Sequence, residues 1–146
     1  MARQSELAPE FIELAPHKVK EGVLYVSMVY ASAIHRCACG CGQKVVTPLS
    51  PTDWKLTFDG ESVSLYPSIG NWSFPCQSHY WIDKNKVRWA PRMSKQEIEA
   101  VRAADRQAKE RYFGSKAAAP AGDGTAPPET LPARIWPAFL RWLRVR

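Results

Sequence analysis

All four cysteines of this 146-residue chain fall in two places, Cys37-Ala-Cys39-Gly-Cys41-Gly and Cys76-Gln-Ser-His79. Thiols separated by one residue cannot pair with each other without strain, so a disulfide framework is a poor account of them. Closely spaced reduced thiols serve as metal ligands or as reactive groups. Thiolates suit a borderline-soft cation, and four Cys/His ligands close a tetrahedral structural site, the chemistry of zinc. Cys76-x-x-His79 supplies a second half-site, and Gly40 and Gly42 let backbone amides turn toward the sulfurs. Five candidates compete for four positions. The reading takes Cys37, Cys39, Cys76 and His79 as ligands and holds Cys41 in reserve, as an alternative ligand or a buried thiol. His35 is expected in the core or supporting the ligands, and His17 on the surface.

The stretch Cys37-Ala-Cys39-Gly-Cys41-Gly-Gln-Lys44 resembles a short zinc-binding motif, Cys-Pro-Cys-Gly-Ser-Gly-Lys-Lys, with Cys41 in the serine position. A second cofactor competes with zinc. Cys76-Gln-Ser-His79-Tyr-Trp resembles the second half of a Rieske motif, which would imply a 2Fe–2S cluster and electron transfer. Rieske centres need a histidine in both halves, and the first half here offers Cys39 instead. Zinc is therefore preferred.

Two serines invite a nucleophile reading. Ser68 lies in Pro67-Ser68-Ile69-Gly70-Asn71-Trp72, and Ser78 precedes His79. Adjacent residues of a strand point to opposite faces, and no Asp or Glu is paired in sequence with either serine. Hydrolysis therefore ranks behind the metal site, and no catalytic residue is assigned. Segment 68–72 reads instead as a turn whose tryptophan packs beside the metal.

These residues must be positioned by a mainly β scaffold. Val23–Tyr30 is a β-branched and aromatic run with Leu24, Val26 and Met28 expected on one side. Lys44–Val46 is a short strand candidate. Trp54–Phe58 and Ser62–Tyr66 alternate around Asp59-Gly60, a strong hairpin signal, and Tyr80–Ile82 and Val87–Trp89 flank a second turn. At Ser94 the pattern changes. Ser94 and Glu97 form a capping box, Met93 can staple onto Ile98, and a helix is expected to end at Gly114. The fold class expected is a small zinc-stapled β-meander, zinc-ribbon-like or Rieske-like, with a C-terminal α-helix and a flexible tail. The divisions are a metal-binding β domain over 1–93, a helix over 94–113, an Ala/Gly/Pro-rich linker over 114–130 and a basic amphipathic tail over 131–146.

The formal charge of +6 suggests nucleic acid until it is located. Residues 1–93 hold ten Lys/Arg against eight Asp/Glu, whereas 94–146 hold ten against six. The β domain is thus near neutral and lacks the basic face a nucleic-acid partner requires. The tail mixes Trp136, Phe139, Leu140 and Trp142 with four arginines. It suits its own domain or a protein groove better than a membrane surface. With no signal peptide or membrane span legible, the expected location is cytoplasmic.

As a set, GVLYVS, HRCACGCG, TPLSPTDWKL, LYPSIGNW and CQSHYWI, spread over Gly22–Ala90, resemble a family of small bacterial proteins. That family is encoded beside bacterial ubiquitin-like proteins and their E1-like and E2-like enzymes. The resemblance implies a place in a ubiquitin-like modification system and a protein partner from it. It brings no activity with it. The reading is a zinc-binding interaction or adaptor module, with an iron–sulfur redox protein as the alternative.

Overall fold

A computed structural model describes residues 2–118. Two four-stranded sheets share one core. In the first, β1 (Ala8–Phe11) runs parallel to β2 (Val23–Ser27), which continues into the antiparallel strands β3 (Ser32–Arg36) and β4 (Lys44–Pro48). The second is an antiparallel meander of β5 (Lys55–Phe58), β6 (Val63–Gly70), β7 (His79–Asp83) and β8 (Lys86–Trp89). Alternation does the sorting. Leu24 and Val26 from the first sheet meet Val63, Leu65, Ile69, Tyr80 and Ile82 from the second, all nearly inaccessible. The N-terminal segment ties the sheets together: Val87 N–H donates to Ser5 O (2.9 Å) and Leu7 N–H to Asn85 O (2.8 Å) before the chain enters β1.

The mainly β fold with a C-terminal helix matches the expectation, with local differences. Strand β2 stops at Ser27, so Met28, Val29 and Tyr30 lie exposed in a turn that Ala31 closes at a φ of 42°. Strand β1 carries Pro9 and little apolar pattern, so sequence periodicity does not reveal it. Pro9 is tolerated because β1 is an edge strand. The capping box forms as expected, Ser94 N–H to Glu97 Oε2 (2.7 Å) and Glu97 N–H to Ser94 Oγ (3.3 Å), and Ile98 is buried. Helix α1 (Lys95–Ala118) runs past Gly114, because the helix-forming Ser-Lys-Ala-Ala that follows outweighs one glycine. The linker beyond 118 and the tail 131–146 lie outside the described residues.

Inside the core, His35 is fully buried and its Nε2 is 2.8 Å from the Tyr80 hydroxyl. Burial pushes the imidazole pKa down to about 4, so the ring is neutral. Asn71 Nδ2 (3.4 Å) and Ala38 N–H (3.5 Å) donate to the phenol oxygen, which leaves the phenol proton for His35 Nε2. His35 Nδ1 has no partner among the described residues. Tyr80→Phe would orphan the second nitrogen as well. It should lower the unfolding free energy by about 1–3 kcal/mol, read as a shifted urea midpoint at unchanged slope.

Candidate active site and metal centre

Strands β6 and β7 pair at Ile69↔Tyr80 and Gly70↔His79. Tyr80 and Ile82 point into the core, so His79 and Trp81 face outward. Opposite His79 stands Gly70, which offers no side chain and leaves a space in the outer face. Two groups converge on it. A Cβ on Gly70 would lie 2.3 Å from the Trp72 indole, so only glycine lets that ring fold back over the strand. The indole centroid sits 4.9 Å from the His79 ring, and Trp81 flanks the ring at 5.7 Å.

Ser68 comes from the other direction. Between Leu65↔Ile82 and Ile69↔Tyr80, β6 spends four residue steps where β7 spends two. This irregularity lies over Tyr66-Pro67-Ser68, and bulges of this kind re-aim side chains. Ser68 Oγ ends 2.9 Å from His79 Nε2. The other nitrogen, Nδ1, is 3.0 Å from the carbonyl oxygen of Pro91. That carbonyl is held because Ala90 N–H donates to His79 O at 2.9 Å, extending the β7–β8 ladder by one rung. A carbonyl can only accept, so Nδ1 carries a proton, and in the neutral ring Nε2 then offers its lone pair to the Ser68 hydroxyl. Beside Ser68 lies a cleft of about 240 Å³, bounded by Trp54, Gly70 and Trp72 and by Val101, Arg102 and Asp105 of α1.

On the inner side of the same strand entrance, the Sγ atoms of Cys37, Cys39, Cys41 and Cys76 all lie within 4.8 Å of one another. Gly40 N–H donates to Cys37 O (3.0 Å), and Cys37 N–H to Gln43 O (2.8 Å), with Gly40 and Gly42 at positive φ. These bonds fold residues 37–43 into a knuckle that points three thiols one way. Cys76 arrives on a loop closed by Asn71 N–H to Ser78 O (2.9 Å). Tetrahedral thiolates at the usual zinc–sulfur distance stand roughly 3.8 Å apart. The contacts Cys37–Cys39 (3.3 Å), Cys37–Cys76 (3.9 Å) and Cys41–Cys76 (3.7 Å) bracket that value.

Polar groups already face the sulfurs. Ser78 Oγ is 3.1 Å from Cys37 Sγ and 3.6 Å from Cys76 Sγ, and Asn71 Nδ2 is 3.7 Å from Cys37 Sγ. Burial raises the Cys37 thiol and the Cys39 thiol. For Cys76 the upward pull of burial is outweighed by hydrogen bonds from the Ser78 hydroxyl and amide, bringing it down to about 7. The set can hold a metal ion, and its thiols are all free of disulfides.

Of the residues read from the sequence as ligands, Cys37, Cys39 and Cys76 meet in one group. Their fourth neighbour is Cys41, which the sequence reading holds in reserve. His79 stands apart, with both ring nitrogens engaged by Ser68 and Pro91. The reason is local: Gln77 takes a φ of 44° and Ser78 turns inward, so His79 enters β7 on the outer face. Ser68 and Pro91 escape the sequence reading as partners of His79. One acts across a strand pair, and the other acts through its backbone, which has no residue signature. The usable signal was a serine and a glycine on one β6 face ahead of a histidine on the next strand.

The fold and the site together define a two-sheet β protein that joins a four-thiol knuckle to an outward Ser–His pair. A family model described as a bacterial ubiquitination-like system serine protease (BubE) matches residues 11–90, more than half of the chain, and the protein belongs to that family. This agrees with the resemblance drawn from the sequence motifs. No curated protein and no solved structure matches the chain. Among the described residues no helix is long and apolar enough to cross a membrane.

The position of Trp72 gives a direct check of the geometry. Gly70→Ala should push the indole off His79 without unfolding the sheets. The expected result is an altered near-ultraviolet tryptophan signal and shifted His79 ring resonances, with far-ultraviolet dichroism unchanged.

Proposed function

We propose that this chain is a serine peptidase of a bacterial ubiquitination-like system, with a structural zinc in its four-thiol knuckle. The observation that carries the reading is the Ser68–His79–Pro91 relay, 2.9 Å and 3.0 Å, in a chain whose family bears a serine protease description. Ser68 Oγ would attack the scissile carbonyl as its proton passes to His79 Nε2, and His79 would return that proton to the departing amine. Water, giving its proton to the same nitrogen, would then attack the acyl carbon; the ester bond to Ser68 breaks, the acid leaves, and His79 Nε2 returns the proton to Ser68 Oγ. The Pro91 carbonyl serves as the orienting group. It fixes the tautomer as a carboxylate does, with only a partial charge to stabilise the imidazolium.

Zinc fits the knuckle by its sulfur spacing and by the hydrogen bonds on Cys37 and Cys76. Four protein ligands leave no open position, so the ion would stabilise the fold and take no part in bond cleavage. A 2Fe–2S cluster is the competing occupant. Its Rieske form needs histidine ligands, which the engagement of His79 on both nitrogens disfavours. Reduced thiols suit the reducing cytoplasm, where we set the protein. Its partners would be ubiquitin-like proteins or their E1-like and E2-like enzymes. A zinc-stabilised adaptor would use the same scaffold and partners but would have no need of Ser68.

Labelling separates these readings. A small alkyl fluorophosphonate should modify Ser68, and Ser68→Ala or His79→Ala should reduce labelling by roughly a thousandfold or more. Both variants should keep the melting temperature and metal of the parent. If the parent protein is not labelled, the peptidase reading fails and the adaptor reading gains.

Elemental analysis should return one zinc per chain in a colourless protein; visible absorption with iron would replace zinc by a cluster. Cys41→Ser and Cys76→Ser should each lose the metal and melt at lower temperature. Retention of full metal by Cys41→Ser would return Cys41 to reserve.

A further inference from the structure

Strand β6 has a partner on both sides only along part of its length. The β5–β6 ladder begins at Lys55↔Tyr66, and the chain before Lys55 turns away, Trp54 N–H donating to Pro48 O of the first sheet (3.1 Å). Beyond Tyr66, β6 has no β5 partner: Ile69 and Gly70 pair with Tyr80 and His79 of β7, and Pro67 and Ser68 lie in the irregularity between. The direction of its remaining backbone groups follows from alternation. Asn71 N–H donates to Ser78 O, and Ala90 N–H donates to His79 O. Asn71 is thus hydrogen-bonded toward β7, and His79 toward β8. Between them, Gly70↔His79 is a pair without hydrogen bonds across the β6–β7 seam. The N–H and C=O of Gly70 therefore point away from β7, toward the place a continued β5 would occupy.

That place is the 240 Å³ cleft beside Ser68. Ser68 and Gly70 line it on the β6 side, Trp54 and Trp72 narrow it, and Val101 and Arg102 of α1 close the far side. Helix α1 lies beyond the family match. It is held over the cleft by Lys109, whose Nζ bridges Asp53 (2.8 Å) and Asp105 (3.0 Å). The slot lies where β5 does not continue, has the free main-chain groups of Gly70 at its edge, and has the Ser68 hydroxyl on its rim.

We propose that the substrate enters as an extended peptide segment, adding a short strand to the free edge of β6 between Ser68 and α1. Main-chain bonds to the β6 edge, centred on Gly70, hold it, as in other cases of strand addition. The substrate class is then an unstructured tail or linker that can lie flat for several residues, and a tightly turned surface loop is excluded. The inference rests on the peptidase reading above and specifies how that site takes its substrate.

A graded probe series tests it on the full, metal-loaded chain. Peptidyl diphenyl phosphonates, acetyl-(Ala)n-Gly-phosphonate with n from zero to four, are compared with a small alkyl fluorophosphonate. The labelling rate of Ser68 should rise at least tenfold with length. N-methylation of alternate amides should abolish that gain, and N-methylation of the intervening ones should leave it intact, the period-two signature of a strand. Labelling by the fluorophosphonate with no dependence on length or on methylation position overturns the strand-addition proposal alone. Failure of every probe, the fluorophosphonate included, overturns the peptidase reading and this inference with it.

Discussion

Antiparallel pairing of β6 with β7 at Gly70 and His79 governs more of this molecule than its length suggests. The register decides that Tyr80 and Ile82 enter the core while His79 and Trp81 stay outside. It also decides that a glycine faces the imidazole, which gives Trp72 room to lie against it. A slip by one residue would send His79 into the core and expose Tyr80, whose hydroxyl bonds the buried His35. Such a slip is costly because it inverts every side chain of β7 at once. The buried His35–Tyr80 pair thus acts at a distance on the outer face, by fixing which residues can appear there.

The same strand joins the two chemical centres. Cys76 and His79 are three residues apart, and Ser78 between them faces the sulfurs of Cys37 and Cys76. A closed metal knuckle would clamp the start of β7 and, through Ser78 and the Asn71–Ser78 backbone bond, limit the motion of His79. At the other end, β8 and its extension bring the Pro91 carbonyl to Nδ1. The imidazole is therefore positioned from both ends of one hairpin.

Much of the scaffold was legible in the sequence. The Asp59-Gly60 hairpin, the β7–β8 hairpin and the Ser94–Glu97 capping box all depend on local chemistry and stand where that chemistry puts them. The cysteine group was legible as a group, because clustered thiols are rare and have few uses. The division of labour within it was not. Whether Cys41 or His79 completes the set depends on the inward turn at Gln77 and Ser78, a positive-φ step at a residue type that gives no warning. The Ser68–His79 pair was harder still to read, since a carboxylate beside the histidine would carry a residue signature and the Pro91 carbonyl that meets Nδ1 carries none. Backbone partners leave no trace in residue identity; they become visible only with register.

Among the described residues the partner of His79 Nδ1 is a backbone carbonyl, that of Pro91, and this has a chemical consequence. An imidazolium formed next to a carbonyl gains less from its partner than one beside a full negative charge, so each turnover would start from a less stabilised intermediate. What the arrangement can supply instead is placement. Two indoles and two hydrogen bonds fix the ring, and an extended substrate held along β6 would arrive with its backbone already ordered. Reducing the entropy lost on reaching the reactive geometry is worth several kcal/mol in favourable cases, comparable to what a stronger orienting charge provides. On the proposed reading, such a site would favour substrates that can become a strand and discriminate against those that cannot, so selectivity and rate would come from the same edge of β6.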